Sequence, residues 1–572
     1  MTADLAIRGG TVVDGSGRAA FEADVVVTGD RITEIVTRYD GAAREVIDAR
    51  GKVVTPGFVD IHTHLDAQLT WDPLGAPACW HGITSVVVGN CGVGFAPCRP
   101  HDRDYLMFLM EGVEDIPRAA LAAGMRWTWE SFGGYLDALA TAGLGVNAGA
   151  YVAHAPLRIY AMGERGVVDT PPSDAELAIM ASAVDEAIAT GALGVSTGRT
   201  TMHRTPAGDA VPGTFADERE LLALAAPLAR RGAGIFQVVP YGAAGEAAEG
   251  FARDLPLIAT IARTSKRPLT VALTQARQYP DVWRDSLARI DGAVGPDVRI
   301  VPQVAPRSIG LVLGMHGLLS PLLLFPAAGD LLDKRPEELR ALLRDVELRR
   351  RLAESVDPSG EIMAGMATLD RVFPITKPGA ASYETTPERS VAGIAARRGV
   401  LPGQVILDEL VASDLARLFM IALYNFDMEA AGAMLAHPLT VPGLGDAGAH
   451  TSQTCDVGVP TFMLAYWVRR RRAMTLEQAV RKLTSAPASA WGIRDRGLIR
   501  AGWLADLNVI DLDRLDLGMP EVRHDLPTGA TNLSQRATGY DATIVNGTVL
   551  MREGEHTGAL PGRVLRNERS VQ

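Results

Sequence analysis

Residues 51–66 read GKVVTPGFVDIHTHLD, and this stretch decides the fold. An apolar strand over Val53–His62 runs into a His-x-His pair. Residues i and i+2 of a strand point the same way, so His62 and His64 can reach one point at the strand's C-terminal end. Neutral imidazole is a common zinc ligand. Two histidines can also simply cap a strand, so the pair takes its meaning from what surrounds it.

Toward the N-terminus, Leu5–Ile7, Thr11–Val13, Ala23–Thr28 and Ile32–Val36 alternate like short strands, with turns at Gly9-Gly10 and Asp14-Gly15. The far end has the same texture, in Asp506–Asp511 and Thr543–Asn546. Either end alone offers too few strands for a sandwich. A composite β-module from 1–54 and 497–572 is the economical reading. Between the ends, short apolar runs alternate with Ala- and Leu-rich helical stretches, the pattern of βα units. After Val53–His62 come seven more candidate strands: Thr84–Asn90, Val146–His154, Leu193–Thr197, Gly234–Val239, Leu269–Gln275, Arg299–Val304 and Thr440–Asp446. Eight such strands predict an α/β fold, a (β/α)8 TIM barrel over 55–304 and 433–496. The gap before the last strand is too long for one helix, so 305–432 is read as an insertion.

Closing a barrel makes its first and last strands neighbours. Asp446, in the run GDAGAH at the end of the last strand, is therefore expected beside His62 and His64. An Asp capping the following helix is the alternative. Cys91 follows the second strand, where a thiolate could ligate zinc. By itself it reads rather as a small buried apolar group.

These segments together resemble the amidohydrolase superfamily, and within it the N-acyl-D-amino-acid deacylases (D-aminoacylases). The resemblance spans nearly the whole chain: IRGGTVVDGSG, GKVVTPGFVDIHTHLD, HGITSVVVGNCGVGFAP, VAHAPLR, TPERSVAGIAARRG, GDAGAH and the closing RGLIRAGWLADL. NCG is its most specific mark. It implies a TIM barrel and metal-assisted hydrolysis of an amide C–N bond, with zinc held by His62, His64, Cys91 and Asp446. Asp446 would also act as general base. N-acyl-D-amino acids or related N-acyl and peptide amides are the implied substrates. The family's further histidines on strands five and six are missing here, where Gln237 and Gln275 are the nearest polar residues. Amide oxygens are poor zinc ligands beside imidazole, so one zinc per chain is expected. His154 and Arg158 of VAHAPLR match a similar family pair, and His203, Gln237, Gln275, Arg277 and His450 complete the substrate-binding candidates. Two other readings stand beside this one: an amidohydrolase of cyclic or modified peptide amides, and a barrel that binds without catalysis.

Composition narrows the classes further. A net charge of −11 without a long basic run argues against nucleic acid as the main partner. Four cysteines without a C-x-x-C pair describe no disulfide scaffold, and reduced thiols in the cytoplasm are expected. No phosphate loop, dinucleotide fingerprint or G-x-S-x-G elbow occurs. The apolar stretch Ser308–Leu332 is broken by glycines and prolines, so no membrane span is expected. It is read as a loop or short helices covering a pocket, with a subunit contact in a homo-oligomer as the alternative.

Overall fold

The computed structural model describes the chain except residues 1, 169, 317–318, 358–360, 363–366, 376–381, 455 and 568–572. Its centre is a parallel sheet of eight strands. In chain order they are β1 (Phe58–Asp60), β2 (Ile83–Val88), β3 (Asn147–Ala153), β4 (Gly194–Gly198), β5 (Ile235–Val239), β6 (Leu269–Ala272), β7 (Ile300–Val304) and β8 (Val441–Pro442). Each pairs with its successor, β7 meeting β8 across the long insertion. A parallel bridge from Thr63 to Ala447 brings the two edges together just above β1 and β8. Every residue of β2, β3, β5 and β7 is buried, as expected where helices cover one face and the barrel interior the other. The fold is a (β/α)8 barrel, and side chains leaving the C-terminal ends of its strands share one mouth.

The predicted first strand is in fact two. Val53–Pro56 pairs antiparallel with Leu507–Ile510 in a separate sheet, and only Phe58–Asp60 enters the barrel. Gly57 is the joint. A Cβ there would lie 2.2 Å from Thr84 Oγ1, so only glycine lets the chain cross that close to β2. The separate sheet has nine strands drawn from both parts of the chain, 3–56 and 507–556. Leu5, Ile7, Val25, Val27, Leu507, Val509 and Ile544 form its apolar core. The alternation read from the sequence supplies these same inward residues.

Between β7 and β8 the chain builds a three-stranded antiparallel sheet, Ile309–Leu313, Leu418–Tyr424 and Val372–Ile375. Helices Pro336–Leu342, Val346–Ser355, Val391–Arg398 and Pro402–Ala412 accompany it over a core of its own. The apolar stretch from Ser308 begins as a strand whose Ile309 and Leu311 line the barrel cavity and continues into short helices. Leu313, Leu322, Leu324, Phe325 and Ala328 are buried in the core of this unit, and residues 317–318 lie outside the described part. Among the described residues no helix is long and apolar enough to cross a membrane.

Candidate metal and catalytic site

His62 and His64 leave β1 at the barrel mouth and turn their Nε2 atoms toward Cys91. The separations from Cys91 Sγ are 3.3 Å and 3.8 Å. The ligand atoms of these three buried side chains lie within 4.8 Å of one another. Asp446 Oδ1 completes the group, 3.2 Å from His62 Nε2 and 3.8 Å from His64 Nε2. Asp446 arrives there because the edges of the barrel meet: the His64 N–H donates to the Ala447 carbonyl at 2.7 Å.

The backbone at this site is unusual. Cys91 (φ 59°), Leu444 (φ 58°), Asp446 (φ 46°) and His450 (φ 47°) all adopt the left-handed region. Such conformations cost of order 1–3 kcal/mol each and gather at functional sites. Cys91 is held in place by its N–H, which donates to Gln237 Oε1 at 3.2 Å. The neighbouring Gly92 N–H donates to Ser196 Oγ at 3.2 Å.

A chain of hydrogen bonds sets the tautomer of His62. Thr270 Oγ1 donates to the Val301 carbonyl, so it accepts from Gln303 Nε2 at 3.0 Å. Gln303 therefore turns Oε1 to His62, 2.7 Å from Nδ1, and Nδ1 must carry the proton. That leaves Nε2 as a lone pair aimed at the shared point. On His64, Nδ1 faces Glu114 Oε1 at 3.3 Å, and neither atom has a hydrogen-bond partner elsewhere. A metal-bound imidazole ordinarily has such a carbonyl or carboxylate on its other nitrogen.

The fit to a divalent cation follows from these contacts. The lone pair of His62 Nε2 faces Asp446 Oδ1, a buried oxygen with no hydrogen-bond partner. Two acceptors at that distance repel unless positive charge lies between them. Burial pushes the Cys91 thiol well above its ordinary range, and Glu114, Asp446 and Asp66 push it further. Burial, with His62 next, holds His64 well below its ordinary range. Burial also raises Glu114 strongly and lifts Asp60 and Asp66 to about 7. A cation inverts that logic for the thiol, because a coordinating thiol loses its proton. Two imidazoles, a thiolate and a carboxylate are a donor set that suits zinc.

The remaining candidates divide. His203 and His450 line the same cavity, which has a volume of about 520 Å³. His450 Nε2 is 3.8 Å from Glu114 Oε2. Gln237 lies beneath Cys91 as its backbone partner. Gln275 is elsewhere: its backbone exchanges hydrogen bonds with Asn425, and Oε1 accepts from the Asp427 N–H at 3.0 Å. It ties β6 to the end of the insertion. Arg277 is not among the residues lining the cavity. His154 and Arg158 are buried off the cavity, where both bind Glu220. His154 Nε2 is 2.9 Å from Oε1 and Arg158 Nη1 is 2.5 Å from it. Buried together just past the C-terminal end of β3, the three form an ion cluster. Glu220→Gln should therefore destabilise the fold by about 3–5 kcal/mol, because the Arg158 charge stays buried without its counter-ion. Urea unfolding checks this, and a change below about 1 kcal/mol would refute the structural role.

Gln303 and Glu114 are not visible as site residues in the sequence. Gln303 does carry a signal, as a lone polar side chain inside the buried strand IVPQV. Glu114 ends the helix Arg103–Glu114 in ordinary amphipathic surroundings and carries none.

Comparison with known proteins gives the family and the fold. The model of the amidohydrolase family matches residues 45–551. The D-aminoacylase of Alcaligenes xylosoxydans xylosoxydans is 28% identical over 566 residues, 98% of this chain and 97% of that protein. The N-acyl-D-glutamate deacylase of Bordetella bronchiseptica, solved with zinc and a phosphonate mimic of the tetrahedral intermediate, superposes with a TM-score of 0.65 at 26% identity. That match covers 99% of this chain and 100% of the deacylase. A D-aminoacylase structure described by its binuclear metal centre, with one-metal activation and second-metal attenuation, gives 0.65 at 25% identity, covering 99% and 100%. The chain belongs to the amidohydrolase family and is an enzyme of carbon–nitrogen bonds.

Proposed function

We propose that this enzyme hydrolyses an acyl amide with one zinc ion held by His62, His64, Cys91 and Asp446. The observation that carries the proposal is the convergence of His62 Nε2, His64 Nε2, Cys91 Sγ and the unpartnered Asp446 Oδ1. Relatives that span nearly the whole chain include a D-aminoacylase and an N-acyl-D-glutamate deacylase, which makes an N-acyl-D-amino acid or a related N-acyl or peptide amide the substrate class of this reading. A thiolate ligand suits a reducing compartment, in keeping with a cytoplasmic setting.

A zinc ion held by His62, His64, Cys91 and Asp446 would lower the pKa of water toward about 7 and polarise a carbonyl. The chain's own groups do the rest. Gln303 and Glu114 orient the two imidazoles. Asp446 accepts the proton of the attacking water and returns it to the leaving nitrogen, so one carboxylate serves as base and then as acid.

Three measurements test the reading. Elemental analysis should find about one zinc per chain, since a second tight site would need the imidazoles missing from β5 and β6. Two tightly held ions, or none after reconstitution, would count against it. The zinc-loaded enzyme should also split an N-acyl amide in preference to cyclic imides and hydantoins. Zinc uptake has a definite pH sense. The Cys91 thiol is held above its ordinary range and must lose its proton to bind, so apparent affinity rises with pH, by up to about tenfold per unit for each proton released. Calorimetric titration in two buffers of different ionisation enthalpy reads the proton count. A pH-independent affinity between 6 and 8 would exclude Cys91 as a ligand.

A further inference from the structure

One carboxylate behind the cavity wall gathers several of the segments that form it. Glu246 lies in the loop 240–249, between β5 and the next helix. Its Oε1 accepts from the Thr200 hydroxyl and from the Thr201 N–H, the latter at 3.0 Å. Both donors belong to the loop 199–217 after β4. Glu246 Oε2 accepts from the Ala244 N–H at 3.0 Å, within its own loop. Thr200 Oγ1 accepts in turn from the Met202 N–H at 3.2 Å. From the end of β6, the Thr274 hydroxyl donates to the Ala243 carbonyl. Burial lifts the Tyr424 phenol to about 12 and the Glu246 charge adds to the effect, so the carboxylate also lies near the strand Leu418–Tyr424 of the insertion.

Thr200, Met202, His203, Ala243, Ala244 and Tyr424 all line the cavity, whereas Glu246 stands behind them and is not part of its lining. Neither loop carries helix or strand at Thr200 or at Ala244. With no ladder to hold it there, the backbone takes its shape from the groups that bind its amides. A carboxylate is the stronger kind of acceptor for such bonds. Loops that share one acceptor in this way hold or yield together. The metal donors stand apart from this clamp: His62 and His64 leave β1, Cys91 follows β2 and Asp446 follows β8.

Resting on the hydrolytic reading above, we infer that Glu246 is a positioning residue for the substrate: it clamps the loops after β4 and β5 into one wall and acts on binding through Thr200, Met202 and His203. It neither holds the metal nor moves the proton. Its loss weakens the hold on the substrate and spares the zinc.

Glu246→Ala removes the whole clamp. The zinc-loaded variant is compared with wild type on the best substrate from a panel of N-acyl-D-amino acids and N-acyl amides. KM should rise roughly tenfold, the scale of a hydrogen bond to a charged group, with kcat falling less than about threefold and zinc per chain unchanged. Thr200→Val, which deletes the donor hydroxyl, should raise KM in the same sense. Thr200→Ser, which keeps the hydroxyl, should recover most of what Thr200→Val loses. Hydrogen exchange, read without substrate, should show peptides over 199–217 and 240–249 losing protection together in Glu246→Ala. A lower melting temperature with KM unmoved would reduce Glu246 to a structural residue and overturn the inference. Loss of zinc, faster exchange in 240–249 alone, or a Thr200→Ser variant no better than Thr200→Val would overturn it as well. A wild-type enzyme that turns over no member of the panel would sink the proposed reaction instead. The exchange measurement would then still decide on the clamp, joint loss of protection supporting it and separate loss refuting it.

Discussion

Replacing Asp446 by Asn is expected to leave the fold intact and to lower turnover by on the order of 100- to 10,000-fold, the range for loss of a general base. The substitution is nearly isosteric. Asn tolerates the left-handed φ of 46° at this position, so the backbone that presents the side chain should survive. What the amide lacks is basicity: it cannot take a proton from water at neutral pH. Asp446 also sits 3.2 Å from His62 Nε2, within the donor set, so the variant must be assayed at saturating zinc with metal content measured alongside. Loss of turnover at full metal occupancy assigns the proton transfer to Asp446. Near-normal turnover would remove it from the mechanism, and full recovery on adding zinc would reduce its role to holding the ion.

Cys91→Ala sets two roles of one side chain against each other. As a packing residue, Cys91 fills a small buried volume, and trimming it to Ala would cost little stability and no metal. As a ligand, it supplies the soft donor that zinc favours. Altering a partner outside the ligand sphere already costs 10- to 100-fold in affinity, so removing Cys91 should cost at least on the order of 100-fold. Its geometry favours the second role. The sulfur lies 3.3 Å from one imidazole nitrogen and 3.8 Å from the other, on a residue held at φ 59° by bonds from the barrel wall. The measurement is zinc per chain at matched free zinc, with melting temperature as the control. Equal zinc and equal activity would return Cys91 to the core.

Much of this site is legible in the amino-acid order because its parts lie on regular elements. A His-x-His pair at a strand end needs only the two-residue period of a strand to converge. Asp446 needs only closure of the barrel. What is not legible depends on contacts between distant segments. Gln303 meets His62 across 241 positions, and no local pattern announces that pairing. His154 and Arg158 look like pocket residues in VAHAPLR, but Glu220, 62 residues beyond Arg158, takes both. Gln275 stands where a ligand would, yet the insertion captures it through Asn425 and Asp427. The break at Gly57 is hidden because both halves of Val53–His62 are apolar, and hydrophobicity alone does not say which sheet a strand joins.

The joint at Gly57 has a consequence for how the molecule assembles. Val53–Pro56 lies directly before the barrel's first strand and pairs with Leu507–Ile510. A ribosome adding about 5–20 residues per second needs roughly 20–90 s to reach the second partner after making the first. Through that interval the emerging polypeptide holds β1 with one flank of its anchor missing and a row of unsatisfied amides on the edge of Val53–Pro56. Such an edge invites pairing with another chain. Long-range pairing is also slow to nucleate, since loop closure must precede its reward. Val53–Pro56 is therefore the segment that stays open to wrong pairing until Leu507–Ile510 is made.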